Sequence, residues 1–314
     1  HAFDFQGAGE YVLAKSTESD FEIHGRFEPR PSGNQLEACE NVTWVTAVAA
    51  TFGDGTVAVY GKRDPSLYVD GQPVEDPTAL SDLPDGAVVR KTGSNALLFQ
   101  WPGGSAMNVA YGDGTLDVDI DLSRSRRGNV RGLLGTFNGS RSDDFVTSAG
   151  RSIEMPPTFE ERYDVFGESW RLSGSQTLFT YQSGNDASAF YRPAIPEGPV
   201  DLEKLPADAR KSALETCRDR DVLEGTPLRW CVLDEVCWNG DGPSGEHDEL
   251  SEPAGTSHPD VTTSGDVQLE AERPDVAKTE AESVPGACEE GTTAVSLVRE
   301  QQGVGGNPSC SVDA

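Results

Sequence analysis

From residue 8 to 122 the chain alternates apolar and polar positions in short runs, broken by glycine, aspartate and proline. The segments GEYVLAKS, DFEIHGRFEP, VTWVTAVAATF, GTVAVYGK, SLYVDGQPV, AVVRKTG and ALLFQWPGGSAMNVAYGDGTLDVDIDLS are rich in β-branched and aromatic residues, which suit a pleated, half-buried surface. Turn chemistry stands where hairpins need it, at Gly53-Asp54-Gly55, Asp70-Gly71, Pro102-Gly103-Gly104 and Gly112-Asp113-Gly114. Consecutive hairpins without intervening helices predict antiparallel sheets. TLDVDIDL has a period of two, with Leu116, Val118, Ile120 and Leu122 on one face and Asp117, Asp119 and Asp121 on the other. Such an acidic face reads as solvated, so these aspartates are given no role.

After residue 172 the pattern changes. TLFTYQSGNDASAFYRP keeps Phe179, Tyr181, Phe190 and Tyr191, and is expected to pack back on the β region. Two helical stretches follow: PADARKSALETC, with Pro206 suited to a first turn, and TPLRWCVLDEVCW, where Thr226 can cap and Pro227 can start. In the second, Leu228, Cys231, Val232 and Val236 recur at helical spacing and predict one buried stripe. Cys217 and Cys231 are placed to staple this helical hairpin. From about residue 240 to 314 acids, Gly, Pro, Ser and Thr dominate, and such a segment cannot bury enough apolar surface to offset its ordering entropy. The expected organisation is therefore mainly β, an antiparallel two-sheet sandwich over 1–172, a helical hairpin extension over 173–240, and a disordered acidic tail over 241–314. Within the tail, Cys288 and Cys310 flank TTAVSLV and are spaced to close a small loop.

Charge narrows the partners. A net charge of -28 opposes binding to nucleic acid or anionic lipid. No apolar run approaches the roughly 20 residues needed to span a bilayer. The six cysteines, Cys39, Cys217, Cys231, Cys237, Cys288 and Cys310, show no C-x-x-C pair, and an even, spread set fits an oxidising compartment. Position 1 is His, and the chain reads as a fragment or as a mature piece cut from a larger precursor. There is no H-E-x-x-H, no phosphate-binding G-x-x-x-x-G-K-[ST] and no G-x-S-x-G elbow. Of the four histidines only His24 falls in a strand, where a satisfied structural role is expected. No enzymatic activity is predicted.

The stretch GLLGTFNGSRSDDF, Gly132 to Phe145, concentrates oxygen ligands and flexible joints. Calcium takes six to eight oxygens from carboxylates, amide and backbone carbonyls, and water. The loop offers the side-chain carbonyl of Asn138, the backbone carbonyl of Ser140, and the carboxylates of Asp143 and Asp144. Spacing alone favours a plain Asn-Gly hairpin followed by two solvated aspartates. Asn41-Val42-Thr43 and Asn138-Gly139-Ser140 both fit the glycosylation acceptor pattern, and Asn41 is the preferred acceptor of the two.

Three ordered motifs carry a resemblance: FDFQGAGEYVLAK near the start, GNVRGLLGTFNGSRSDDF in the middle, and FGESW at Phe166 to Trp170. Together they resemble the von Willebrand factor type D domain, over roughly residues 1–172, and the following segment is similar to extensions seen in extracellular, mucin-like and microbial proteins. The resemblance implies an extracellular module of two packed antiparallel sheets, of the kind found in adhesive glycoproteins, gel-forming mucins and lipid-carrying yolk proteins, and not usually an enzyme. It implies calcium in the loop Asn138 to Asp144, helped by an Asp of an upstream TFDG motif that would precede residue 1. The sequence departs from the family where CGLCGNYNG is expected: Arg131 and Leu134 replace the two cysteines and Thr136 replaces the first Asn. Disulfide-linked multimers of the clotting and mucus kind are thus not expected. The function expected is a non-catalytic structural or adhesion module, secreted or at the cell surface. Its partners would be neighbouring domains of the same precursor and cell-surface or matrix components. A lipid- or ligand-carrying accessory domain is the alternative, and an accessory domain of a secreted hydrolase ranks third.

Overall fold

A computed structural model describes residues 3–29, 36, 39–63, 66–76, 83, 86–112, 114–181, 185–220, 222 and 224–237, together with the backbone of Thr293–Leu297. Among these residues, twelve strands form two antiparallel sheets. The first has the order β11-β1-β2-β3-β4-β5-β6. Its strands are β1 (Gly9–Ser16), β2 (Glu22–Pro29), β3 (Thr43–Phe52), β4 (Gly55–Tyr60), β5 (Leu67–Val69), β6 (Gln72–Val74) and β11 (Val130–Arg131). The second runs β7 (Val88–Gly93), β8 (Ala96–Gln100), β9 (Ala106–Gly112) and β10 (Thr115–Leu122) as a meander. The order follows from the turns: Asp70 and Gly71 both take positive φ at the β5–β6 hairpin, as a two-residue turn requires.

The alternation predicted for β10 is observed. Leu116, Val118, Ile120 and Leu122 are buried against the first sheet, sharing one core with Leu13, Ile23, Val48, Phe52, Leu97, Phe99 and Val109. Phe52 and Trp101 stack across the sheets at 4.5 Å between ring centroids. The Trp101 indole Nε1 donates to the Thr51 carbonyl at 2.9 Å, which satisfies the polar end of an otherwise apolar ring.

The first sheet is buried on its other face as well. β3 reads TWVTAVAATF, apolar on both sides, which marks a strand covered above and below. Ala47, Ala49 and Ala58 leave room there for Phe179, which packs with Tyr60 against them. Residues 177–181 run over this face as a strap held by side chains of the sheet. The Leu178 N–H donates to His24 Nδ1 at 3.1 Å, and the Thr180 N–H donates to the Tyr60 hydroxyl at 2.8 Å.

The extension consists of α2 (Ala207–Asp219) and α3 (Gly225–Cys237), after a single α turn, α1 (Glu168–Trp170), that ends a helical segment with π character over Glu161–Gly167. Pro206 stands just before α2 rather than inside its first turn, and α3 starts one residue before Thr226. Val232 and Val236 of the predicted stripe are buried, together with Ala213, Cys217, Leu233 and Cys237, against Val42 and Trp44 of the β region. The structure joins Cys217 to Cys231, and it also joins Cys39 to Cys237, across 198 residues of sequence. The second bridge ties the last turn of α3 to the approach to β3.

Within the region predicted as an acidic tail, the TTAVSLV stretch singled out by the sequence contains a strand: Thr293–Leu297 forms β12, antiparallel to β10. Its TAVSL sequence carries enough β-branched and apolar character to add to the open edge of a sheet. Cys288 and Cys310 lie outside the described residues.

Candidate functional site

The three sequence motifs converge in space. β11 pairs with the end of β1 through Lys15 and Arg131, and the chain then folds over β1, with the Leu133 N–H donating to the Val12 carbonyl at 2.9 Å and the Leu134 N–H to the Leu13 carbonyl at 3.1 Å. So close an approach is possible only because residue 132 is glycine: a Cβ there would lie 2.3 Å from the Leu13 carbonyl oxygen. At the far end of the loop Phe145 is buried between Phe3 and Phe166, at 4.9 and 4.7 Å. The indole of Trp170 donates to the Val146 carbonyl at 3.0 Å, so the FGESW segment clamps the loop from outside.

Between these anchors lie the four candidate ligands. The Asn138 side-chain carbonyl accepts the Ser140 N–H at 2.7 Å, an Asx turn, while its amide Nδ2 donates to Asp143 Oδ2 at 2.5 Å. The other carboxylate oxygen of Asp143, Oδ1, is buried with no hydrogen-bond partner. Asp144 packs against Gly135, where a Cβ would come within 2.8 Å of its Oδ1. Burial pushes the Asp144 carboxyl above the ordinary range; a hydrogen bond from the Thr136 backbone opposes this, and the charge of Asp143 adds to it. Two adjacent carboxylates, one with a buried unsatisfied oxygen, form a site that favours an added positive charge. One cation is already close. Arg127 Nε donates to the Asn138 carbonyl at 3.1 Å, and a Cβ on Gly139 would meet Arg127 Nη2 at 2.7 Å. Among the described residues no group of three or more His, Cys, Asp or Glu side chains converges as a metal cage, so any ion here would lean on neutral oxygens. Ser140 supplies a hydroxyl 2.8 Å from that of Ser142 at the exposed end of the loop.

The preferred glycosylation acceptor, Asn41, is half-buried before β3, and its side-chain carbonyl accepts the Glu197 N–H at 2.9 Å. Asp117, Asp119 and Asp121 line the outer face of β10, where burial and the charge of Asp119 push the carboxyl of Asp121 up. His24 is fully buried. Since its Nδ1 accepts from Leu178, its Nε2 carries the proton and donates to Glu22 Oε1 at 2.7 Å, which makes it a structural residue.

A second charged cluster was not anticipated. Glu10 and Arg26 are cross-strand partners in the β1–β2 register, both buried, with Arg26 Nε donating to Glu10 Oε1 at 2.8 Å. The other Glu10 oxygen accepts from Thr177 at 3.0 Å and from the Tyr181 hydroxyl at 2.5 Å. Burial, and then the bond to Glu10, push the Tyr181 hydroxyl up. The guanidinium of Arg26 lies 3.6 Å above the Phe190 ring and 4.7 Å from that of Phe179. Stacking satisfies the flat face of the group but not the N–H bonds in its plane, and Arg26 Nη2 is buried without an acceptor. Leaving such a donor unmatched costs about 1–3 kcal/mol. Polar residues inside the β-rich runs GEYVLAKS and EIHGRFEP were the one available signal.

A two-sheet antiparallel sandwich, closed by a glycine-rich loop and joined by the Cys39–Cys237 disulfide to a helical extension that Cys217–Cys231 staples internally, defines a β module built for an oxidising, extracellular setting. Residues 1–151 match the family model described as von Willebrand factor type D domain, and this part of the chain belongs to that family. The chain is 30% identical over 186 residues to Sushi domain-containing protein 2 of Homo sapiens, covering 58% of this chain and 22% of that protein. It is 30% identical over 130 residues to SCO-spondin of Bos taurus, covering 41% of this chain and 2% of that protein. It is 25% identical over 173 residues to Mucin-5B of Gallus gallus, covering 55% of this chain and 7% of that protein. The chain thus spans less than a quarter of the length of each of these relatives. It is an extracellular protein. Among the described residues no helix is long and apolar enough to cross a membrane.

Proposed function

We propose that the chain is a non-catalytic structural and adhesion module of a larger extracellular protein, stabilised by calcium in the loop Asn138 to Asp144. The observation that carries the reading is the convergence of the three motifs on one loop, locked between β1 and the Phe166–Trp170 segment, with a buried carboxylate oxygen of Asp143 left without a partner. Asp143, Asp144, the Asn138 side-chain carbonyl and the Ser140 backbone carbonyl would hold the ion. Bound there, calcium would neutralise two adjacent carboxylates and fix the loop against the sheet. The partners are neighbouring domains of the same protein and components of the cell surface or matrix. The alternative of a lipid carrier finds no support in the cleft that the first sheet forms with its strap. That cleft measures about 200 Å³ and is lined by Arg26, Glu28, Lys62 and Arg63 among others. It is small beside ordinary ligand pockets of roughly 300–1,000 Å³.

Two measurements test the proposal. Thermal unfolding in millimolar calcium and in chelator should differ, and the difference should vanish in Asp143→Ala. An identical midpoint in both buffers overturns the calcium assignment. Surfaces coated with the chain should retain cells or matrix fragments under flow better than surfaces coated with an unrelated acidic protein. Equal retention overturns the adhesion reading.

A further inference from the structure

In a chain of net charge -28, three cations meet at one cleft. Arg26, Lys62 and Arg63 line it together with Tyr181, Phe190 and the carboxylate of Glu28. Two of the three are matched. Arg26 is paired with Glu10, and Lys62 Nζ lies 3.1 Å from Glu28, which also accepts a hydrogen bond from Thr46. Arg63 has no carboxylate among the described residues. It lies 3.7 Å above the Tyr60 ring and donates through Nη2 to the Thr180 carbonyl at 2.8 Å, which holds it in place without neutralising it. Among the described residues, three cations against two carboxylates leave one positive charge. Arg26 Nη2 adds a second unmet demand, a buried donor with no hydrogen-bond acceptor.

We propose that this cleft binds an acidic monosaccharide residue through its carboxylate. A single excess charge matches a carboxylate better than a dianionic sulfate or phosphate, and the planar fork of a guanidinium matches two carboxylate oxygens. The body of the ligand must suit the remaining walls. The rings of Tyr181 and Phe190, 6.1 Å apart and nearly parallel, offer an apolar surface for the face of a sugar. Glu28, Asn185 and Thr46 offer hydrogen-bond partners for its hydroxyls. Glu28 also argues against a bare inorganic anion, which would gain nothing from a neighbouring carboxylate, whereas a hydroxyl can donate to it. The cleft volume of about 200 Å³ has room for one ring. The site is independent of the calcium loop, and its test does not depend on calcium.

Isothermal titration of the full chain with glucuronate, glucose, acetate and sulfate tests the proposal. Glucuronate should bind saturably at low millimolar Kd, acetate more weakly, and glucose not at all. Arg63→Gln should weaken glucuronate binding by about tenfold, as loss of one charge-assisted contact does, with an unchanged unfolding midpoint. Lys62→Gln should weaken it less, and Arg141→Gln, in the distant loop, should leave it unchanged. Arg26→Lys addresses the unmatched donor, but its folding is at risk, so the surface variant Arg63→Gln carries the decision. Failure of glucuronate to saturate, binding of glucose as tight as that of glucuronate, tighter binding of sulfate, or an affinity unaltered in both Arg63→Gln and Lys62→Gln would each overturn the assignment.

Discussion

The loop Gly132 to Phe145 and the cleft around Arg26 are the two places where this β module gathers charge, and they are assembled in opposite ways. The loop is local: its carboxylates, its Asn-Gly turn and its glycines lie within fourteen consecutive residues, and its charge is negative. The cleft is long-range: Glu10 meets Tyr181 across 171 positions, and the charge it presents is positive. A local site tolerates change because its groups remain near water and can rearrange. The Glu10–Arg26 pair at the base of the cleft, buried between the sheet and its strap, cannot, since every polar group removed leaves another buried without its partner.

The largest effect is therefore expected at the Glu10–Arg26 pair. Truncating one member, as in Arg26→Met, should destabilise the fold by about 3–5 kcal/mol, because the Glu10 carboxylate stays buried without its cation. The double variant Glu10→Gln with Arg26→Met should recover a large part of that loss. Urea unfolding of the wild type, the single variants and the double variant closes the cycle. If the single variant loses no more than an exposed arginine would, the description of the pair as buried beneath the strap is wrong.

Next comes the hinge of the loop. Gly132→Ala places a Cβ within 2.3 Å of the Leu13 carbonyl and should cost about 3 kcal/mol through overpacking against backbone that cannot yield. Gly128→Ala, where a Cβ meets nothing within 4 Å although φ is +76°, should cost less. A pair of equal midpoints in differential scanning calorimetry would show that the loop is not pinned to β1 in solution.

The loop's own charges should matter less than either, and only with the ion. Calcium at about 100 times its Kd should add about 2.7 kcal/mol to the stability of the wild type. In chelator, Asp143→Asn should match the wild type closely, since Asn138 still has an oxygen to donate to and one buried carboxylate charge is gone. A loss as large in chelator as in calcium would mean that Asp143 is structural and that the loop resembles the cleft after all.

What could be read from the sequence follows the same division. Strands β1 to β10 were legible because alternation and turn chemistry are short-range signals, and the buried Leu116, Val118, Ile120 and Leu122 show the period of two directly. The loop was legible as a family motif over Gly132 to Phe145. The covering of the outer face of the first sheet was only hinted at, by the alanines of β3 and the aromatics after residue 177. The pairing of Glu10 with Arg26 depends on strand register, and the pairing of Cys39 with Cys237 depends on where α3 docks, neither of which a linear pattern encodes. The helical turn over Glu161–Gly167 was missed because its only prominent feature, FGESW, reads as a family motif and its glycine reads as a breaker.

The sharpest test of the division is the smallest, because it uses a residue that belongs to neither site. Glu22 opens β2 four residues before Arg26 and is half-buried at that end of the strand, accepting from buried His24 at 2.7 Å and from exposed Lys15 at 2.8 Å. Burial pushes its carboxyl up, but the hydrogen bonds from His24 and Lys15 outweigh burial and hold it below the ordinary value of 4.5. A carboxyl whose folded pKa is depressed stabilises the fold above its unfolded pKa, and that contribution is lost as pH falls through the folded value. Glu22→Gln should thus be less stable than the wild type by about 1 kcal/mol at neutral pH, the typical net worth of such a hydrogen bond. The deficit should hold down to about pH 4.5, shrink below it, and vanish once the wild-type carboxylate is protonated in the folded state. Chemical denaturation of both proteins from pH 7 to pH 3 reads it directly. A deficit constant across the range would mean that Glu22 acts through packing, as a member of the sealed outer face. A deficit absent at every pH would mean that water screens it fully, as it screens the exposed end of the loop.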